Sequence, residues 1–221
     1  MPVYRLTKKL LFPPPDLAED DGLLAVGGDL SVERLLLAYS MGIFPWYSDG
    51  YPILWWSPDP RLVLIPRELK VSKTLKQTVR QGRFRVSTNE AFEKVIRGCA
   101  TAKRKDEQGT WITEDMIKAY IRLHHAGHAH SVESWDGDEL AGGLYGVMMG
   151  RAFFGESMFA KKTDASKVAF AVYAEELARK GFELIDCQVT TEHLKRFGAK
   201  EIPRAEFLKR LEKALSTKNE I

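Results

Sequence analysis

Asp186 and Gln188 stand two positions apart in Leu184-Ile185-Asp186-Cys187-Gln188, a carboxylate and an amide set into an otherwise apolar run. In an extended strand the side-chain period of two puts both on one face, with Ile185 and Cys187 on the other. Such groups cost desolvation unless they are partnered or employed. Gln188 cannot serve as a true base, because an amide holds no proton at neutral pH. Gly155-Glu156-Ser157-Met158-Phe159 starts as a nucleophile elbow but ends in Phe where glycine is needed, and it lies in a strand. His124, His125, His128 and His130 surround Gly127, which interrupts their helix. No HExxH or cysteine cluster accompanies them, so no metal site is expected.

The elements that must position the pair run from Glu139 to Val189. Leu140–Met149 and Arg151–Met158 read as a hairpin turning at Gly150-Arg151, with glycine where a type II′ turn wants it. Ala165–Lys180 reads as a helix opened by Asp164 and closed by Gly181, and Glu183–Val189 as the returning strand. Upstream lie a strand at Arg61–Pro66, a basic helix at Ser72–Gln81, a strand at Phe84–Ser87 and a helix over Glu90–Cys99 capped by Asn89. A helix from Thr113 to His125 and a hairpin through Asp136-Gly137 follow. Arg204–Ser216 is an amphipathic helix with Phe207, Leu208, Leu211 and Leu215 on one side. This order predicts an α+β fold around one mixed, mainly antiparallel sheet.

Residues 1–60 read as a small N-terminal domain ahead of a larger one over 61–221. Phe12-Pro13-Pro14-Pro15 is stiff and extended. Gly27-Gly28-Asp29 leads into a helix at about Val32–Met41 capped by Ser31, and matches neither GxGxxG nor GxxxxGK[ST]. Phe44, Trp46, Tyr47, Tyr51, Trp55 and Trp56 are threaded through Pro45, Pro52, Pro58 and Pro60. These rings suit packing between two units, or a platform on which a nucleobase stacks.

No apolar run approaches the roughly 20 residues that span a bilayer, and the first 21 residues lack the pattern of a signal peptide. Cys99 and Cys187 lie far apart, which fits a reducing cytosol and a cytoplasmic protein. The net charge of +3 is unevenly spread: −4 over 1–60, +10 over 61–105 and −3 over the remainder. A block of that sign and density is the footprint a polyphosphate partner leaves, against the plainer reading of a solvated face.

The hairpin–helix–strand unit is similar to the central part of acyl-CoA N-acetyltransferases, the GNAT fold, whose glycine-rich loop holds the cofactor pyrophosphate. Here that loop is Phe159-Ala160-Lys161-Lys162-Thr163-Asp164, with no glycine to let backbone N–H groups close on a phosphate. Lys161 and Lys162 remain as point charges. Seven further segments, in order, resemble the leucyl/phenylalanyl-tRNA–protein transferases of bacteria. They are Gly22-Leu23-Leu24-Ala25-Val26-Gly27-Gly28-Asp29-Leu30-Ser31, Gly42-Ile43-Phe44-Pro45-Trp46, Leu54-Trp55-Trp56-Ser57-Pro58-Asp59-Pro60-Arg61, Gly109-Thr110-Trp111-Ile112-Thr113, Gly127-His128-Ala129-His130-Ser131, Gly155-Glu156-Ser157-Met158-Phe159 and Ile185-Asp186-Cys187-Gln188.

The resemblance implies an enzyme that moves Leu, Phe and less well Met from aminoacyl-tRNA to the α-amine of proteins beginning with Arg or Lys. In the family this marks the acceptor for degradation by the N-end rule pathway. It also implies a small N-terminal domain before a GNAT-like domain, no cofactor, and a monomer. Carried over by position, Asp186 and Gln188 fall on the catalytic pair, with Asp186 expected to hold the Gln188 side-chain NH₂. Glu156 would pair with the acceptor's cationic N-terminus. The amino-acid pocket falls on Leu144, Phe153, Gly155, Phe170, Tyr173 and Ile185, although Phe170 and Tyr173 share a helix face that equally suits a core. Trp46 and Trp111 would flank the terminal adenosine, with Tyr39 nearby. Lys70, Lys73, Lys76, Arg80, Arg83 and Arg85 would meet the tRNA body. A CoA-dependent N-acetyltransferase and a non-catalytic RNA-binding module are the competing readings.

Overall fold

The first half of the chain splits its aromatics between core and surface, and two sheets form around the buried ones. The computed structural model describes residues 3–102 and 111–216; the charged stretch Lys103–Gly109 lies outside them. Strands β1 (Tyr4–Leu6), β2 (Leu23–Gly27), β3 (Phe44–Pro45) and β4 (Leu54–Trp56) form the smaller sheet, in the order β1-β2-β4-β3. Helix α1 (Val32–Ser40) crosses between β2 and β3; Ser31 caps it by accepting from Arg34 N, and Gly42 leaves it at φ +72°. Phe44, Tyr47 and Trp55 turn inward, while Trp46 and Tyr51 stay exposed.

The larger sheet takes β5 (Arg61–Leu64), β6 (Arg85–Thr88), β7 (Ala129–Asp136), β8 (Glu139–Met149), β9 (Ala152–Ala160), β10 (Leu184–Gln188) and β11 (Lys200–Ile202). Its order is β11-β5-β10-β9-β8-β7-β6. Every neighbouring pair is antiparallel except β9 and β10, which run parallel because α5 (Ala165–Arg179) carries the chain across. Helices α2 (Lys73–Arg80), α3 (Phe92–Thr101), α4 (Glu114–His125), α6 (Glu192–Lys195) and α7 (Arg204–Ser216) are the other α-helices among the described residues. The architecture is therefore mixed α+β, with two mixed sheets. On one face α5 packs Val168, Phe170, Tyr173 and Leu177 into the cluster that holds Phe153 and Ile185. On the other, Leu35 and Tyr39 of α1 and Trp55 of the smaller sheet share one core with Tyr145, Phe154 and Phe207. Among the described residues no helix is long and apolar enough to cross a membrane.

Local expectations fail where a distant partner intervenes. Asp164 does not cap α5: it sits at φ +67° and pairs with Lys167 at 2.7 Å. Helix α3 starts at Phe92 because Asn89 spends its side chain on Ser131 N and His130, while buried Glu133 accepts from Ala91 N. The β7–β8 turn is Gly137-Asp138, one residue later than Asp136-Gly137, since Asp136 pairs with Glu139.

Candidate active site

Two β-bulges on neighbouring strands build the site. Between β8 and β9, Tyr145 pairs with Ser157 and Gly146 with Gly155, so Glu156 is the extra residue. Between β10 and β5, Asp186 pairs with Val63 and Gln188 with Leu62, so the register slips there too, and Gln188 lies at φ +62°. Bulges re-aim side chains and bend a strand away from its neighbour. The β9–β10 pairing extends from Leu184–Ala152 to Asp186–Phe154 and goes no further. Beyond it a cavity of about 320 Å³ opens between the strands.

The bulge overturns the regular-strand reading. Ile185, Cys187 and Gln188 all line the cavity, while Asp186 lies on the other side with no exposed surface. Arg61 holds Asp186 there with two charge-assisted bonds, Nε to Oδ1 at 2.8 Å and an Nη to Oδ2 at 2.7 Å. The Arg61 guanidinium is itself clasped between the rings of Phe44, 4.7 Å away, and Phe207, 4.5 Å away. Asp186 does not hold the Gln188 side-chain amide. Its Oδ1 accepts from the Gln188 backbone N–H at 2.9 Å, and the side-chain Nε2 instead donates to Glu156 Oε1 at 2.9 Å.

Glu156 lines the cavity and is almost wholly buried. Its Oε1 also accepts from Tyr39 at 2.7 Å and its Oε2 from Tyr120 at 3.0 Å. Burial lifts its pKa to about 7 against the pull of these three donors. With most of its acceptor capacity filled, Glu156 has little left for the expected pairing with a cationic N-terminus. Tyr39 is not beside a stacking ring at the cavity; it is fully buried behind Glu156, its hydroxyl against that of Tyr120.

The apolar wall comes from Leu144, Phe153, Gly155, Phe170 and Ile185, all lining the cavity. Tyr173 does not line it; it packs edge-on behind Phe153, centroids 5.1 Å apart. Trp46, just past β3, and Trp111, just ahead of α4, both reach the cavity, and Trp46 rests against Trp56 at 5.7 Å. Thr191, His193 and Leu194 add a rim that the strand pattern gave no reason to expect. The sequence reading also missed Tyr120 and Arg61. Tyr120 looks like one more core aromatic of α4; Arg61 carried a signal, as the one charge heading the apolar run of β5.

In the loop that stands where the GNAT fold has its glycine-rich phosphate loop, the N–H groups of Lys161 and Lys162 both donate to Ala141 O, at 2.8 and 3.2 Å. Lys162 is tied to Asp136 and Glu139, each at 2.9 Å. On the basic flank Lys70, Lys73, Lys76, Arg80 and Arg83 are exposed, whereas Arg85 is engaged by Glu90 at 2.8 Å.

A family model described as leucyl/phenylalanyl-tRNA protein transferase matches residues 63–212, and one for the N-terminal domain of the same family matches 28–59. The chain belongs to this transferase family. A leucyl/phenylalanyl-tRNA–protein transferase of Anaeromyxobacter sp. (strain Fw109-5) is 65% identical over 97% of this chain and 92% of its own. One from Syntrophobacter fumaroxidans is 62% identical over 94% of this chain and 89% of its own. A solved structure of L-PGS from Bacillus licheniformis overlaps at a TM-score of 0.40 with 10% identity, over 76% of this chain and 54% of that one, too loose an overlap to name a fold class.

Proposed function

We propose that this transferase moves Leu or Phe from the 3′ end of aminoacyl-tRNA to the α-amine of a cytoplasmic protein beginning with Arg or Lys, marking that protein for degradation. The observation that carries the reading is the cavity itself. An apolar pocket holds Glu156 and Gln188 at its polar end and two tryptophans on its lining. The side chain of Leu or Phe fits the Leu144, Phe153, Phe170 and Ile185 wall, and Trp46 and Trp111 stack on the terminal adenine. Residues 1–60 and 61–221 act as a small domain and a GNAT-like one. The parallel β9–α5–β10 crossover supports that likeness, with the cavity at the point where the two strands part.

The donor ester is already activated, so the step is aminolysis. The amine nitrogen attacks the ester carbonyl, the C–N bond forms, and the bond to the ribose oxygen breaks. The proton shed by the amine ends on that oxygen. A protein α-amine with a pKa of about 7.7–8.0 is partly neutral at cellular pH. Gln188 Oε1 accepts from it and fixes its line of attack. Holding the two reactants together supplies much of the acceleration, up to ~7–11 kcal/mol.

The CoA reading is weakened by the 161–164 loop, where two N–H groups turn inward to Ala141 O and away from any pyrophosphate. Radiolabelled Phe on tRNA, mixed with an Arg-initiated peptide and the purified protein, should appear in the peptide. Label that stays on the tRNA, or acetyl-CoA that binds in the cavity, would overturn the proposal.

A further inference from the structure

Glu156 is ringed by donors from three elements. The hydroxyls of Tyr39 on α1 and Tyr120 on α4 and the side-chain NH₂ of Gln188 on β10 all reach it; the two phenolic oxygens also touch, and with one proton apiece both donate to Glu156 only when neither donates to the other. Tyr145 on β8 faces Tyr120, and Asp186, neutralised by Arg61 on β5, stands behind. Burial and the nearby carboxylate push both phenols well above the ordinary tyrosine range, so they remain protonated donors.

An ionised carboxylate can only accept. It therefore selects the NH₂ end of Gln188 and leaves Oε1 for the cavity, where an attacking amine needs an acceptor. A protonated Glu156 has an O–H to place, and the Gln188 carbonyl is the strongest neutral acceptor in the ring. The amide then turns over and its NH₂ meets the amine, donor against donor. We propose that Glu156, held by Tyr39 and Tyr120, is the positioning residue that decides which end of the Gln188 amide faces the reacting amine, so that transfer proceeds from its carboxylate form. The inference rests on the aminolysis proposed above and adds the control of that step. With Glu156 at about 7, the turnover of the amide falls within the range of cellular pH.

Two measurements test it. In ¹⁵N-labelled protein the side-chain NH₂ resonances of Gln188 should titrate with a midpoint near 7, and should not titrate in Glu156→Gln. In single-turnover transfer of Phe from tRNA to an Arg-initiated peptide, the rate should break at the same pH. Tyr120→Phe removes one donor to the carboxylate and should move that break about one pH unit higher. Glu156→Gln should erase it and hold the rate at the low level of the protonated form, leaving only the amine's own break at about 7.7–8.0. Tyr39→Phe serves as the second probe should Tyr120→Phe lose its fold. A rate lowered by one factor at every pH in the tyrosine variants, or a break that survives Glu156→Gln, overturns the inference. Wild-type protein that transfers nothing while its Gln188 amide titrates defeats the proposed reaction and leaves the amide switch standing. An active wild type whose amide does not titrate does the reverse.

Discussion

Asp186 Oδ1 lies 2.9 Å from the backbone nitrogen of Gln188 and 2.8 Å from Arg61 Nε. One carboxylate oxygen thus ties a strand residue at φ +62° to a guanidinium on the next strand. A left-handed backbone at a glutamine persists only where its surroundings over-determine it, and this bond is one of the constraints. Asp186 therefore acts on Gln188 by fixing where the residue stands.

Removing one half of the buried pair strands the other. Asp186→Asn should lower stability by about 3–5 kcal/mol and reduce turnover with it. The double substitution Arg61→Met with Asp186→Leu should recover most of that stability, because apolar residues of similar volume replace the ions. It should not recover turnover, since the leucine leaves the Gln188 N–H without an acceptor. Urea denaturation alongside transfer kinetics separates the two effects. Turnover that returns together with stability would show that the pair serves the fold alone.

The crossover unit was legible because its signals are local. Gly150, Gly181 and the periodicity of β8 through β10 are read within a few residues, whereas Phe153, Phe170 and Ile185, which line the cavity, were implied only by the family resemblance. The two bulges were not legible. A register slip is a property of a strand and its neighbour, so the rule of two placed Asp186 with Gln188 and set Ile185 apart. Arg61 and Asp186 are 125 residues apart in the chain, and no local pattern joins them. Tyr39 misled for a related reason: it sits where the family position implied, near the site, but points at Glu156 from inside the core.

Gly155 offers a test of the pocket without disturbing the fold. A Cβ built there would meet only Asp186 O, at 3.6 Å, an ordinary contact. Gly155→Ala should leave stability within about 0.5 kcal/mol. Its methyl enters the cavity, so transfer of Phe should fall relative to a smaller donor side chain by about 10-fold or more. Gly143→Ala is the control: its Cβ collides with Val132 O at 2.6 Å, away from the cavity wall, so it should unfold the protein more readily without shifting selectivity. Donor competition assays give both ratios. An unchanged Phe preference in Gly155→Ala would place the amino-acid side chain elsewhere.

Glu156 also sets a pH dependence of stability. Its folded pKa is raised from 4.5 to about 7, so the fold favours the protonated form. The stability this contributes is fully present below pH 4.5 and is lost as pH rises through 7, by about 3 kcal/mol in all. Glu156→Gln mimics the protonated form, and its advantage over wild type should grow between pH 5 and pH 8. Urea unfolding at the two pH values measures it. A difference that stays constant would mean that Glu156 ionises as a solvent-exposed carboxyl does.

Lys73, Lys76 and Arg80 rise at helical spacing on α2, away from buried Leu75, and form no ion pair among the described residues. If this face grips phosphates, each side chain removed should lower the slope of log affinity against log salt by about one. Substituting all three with Gln should therefore flatten the salt dependence of Phe-tRNA binding by about three, while transfer from a minimal aminoacyl-adenosine donor, which has no tRNA body, stays at the wild-type rate. Arg85 is committed to Glu90, so Arg85→Gln should change the slope less than any of the three. An unaltered slope in the triple variant would move the tRNA body to another face of the molecule.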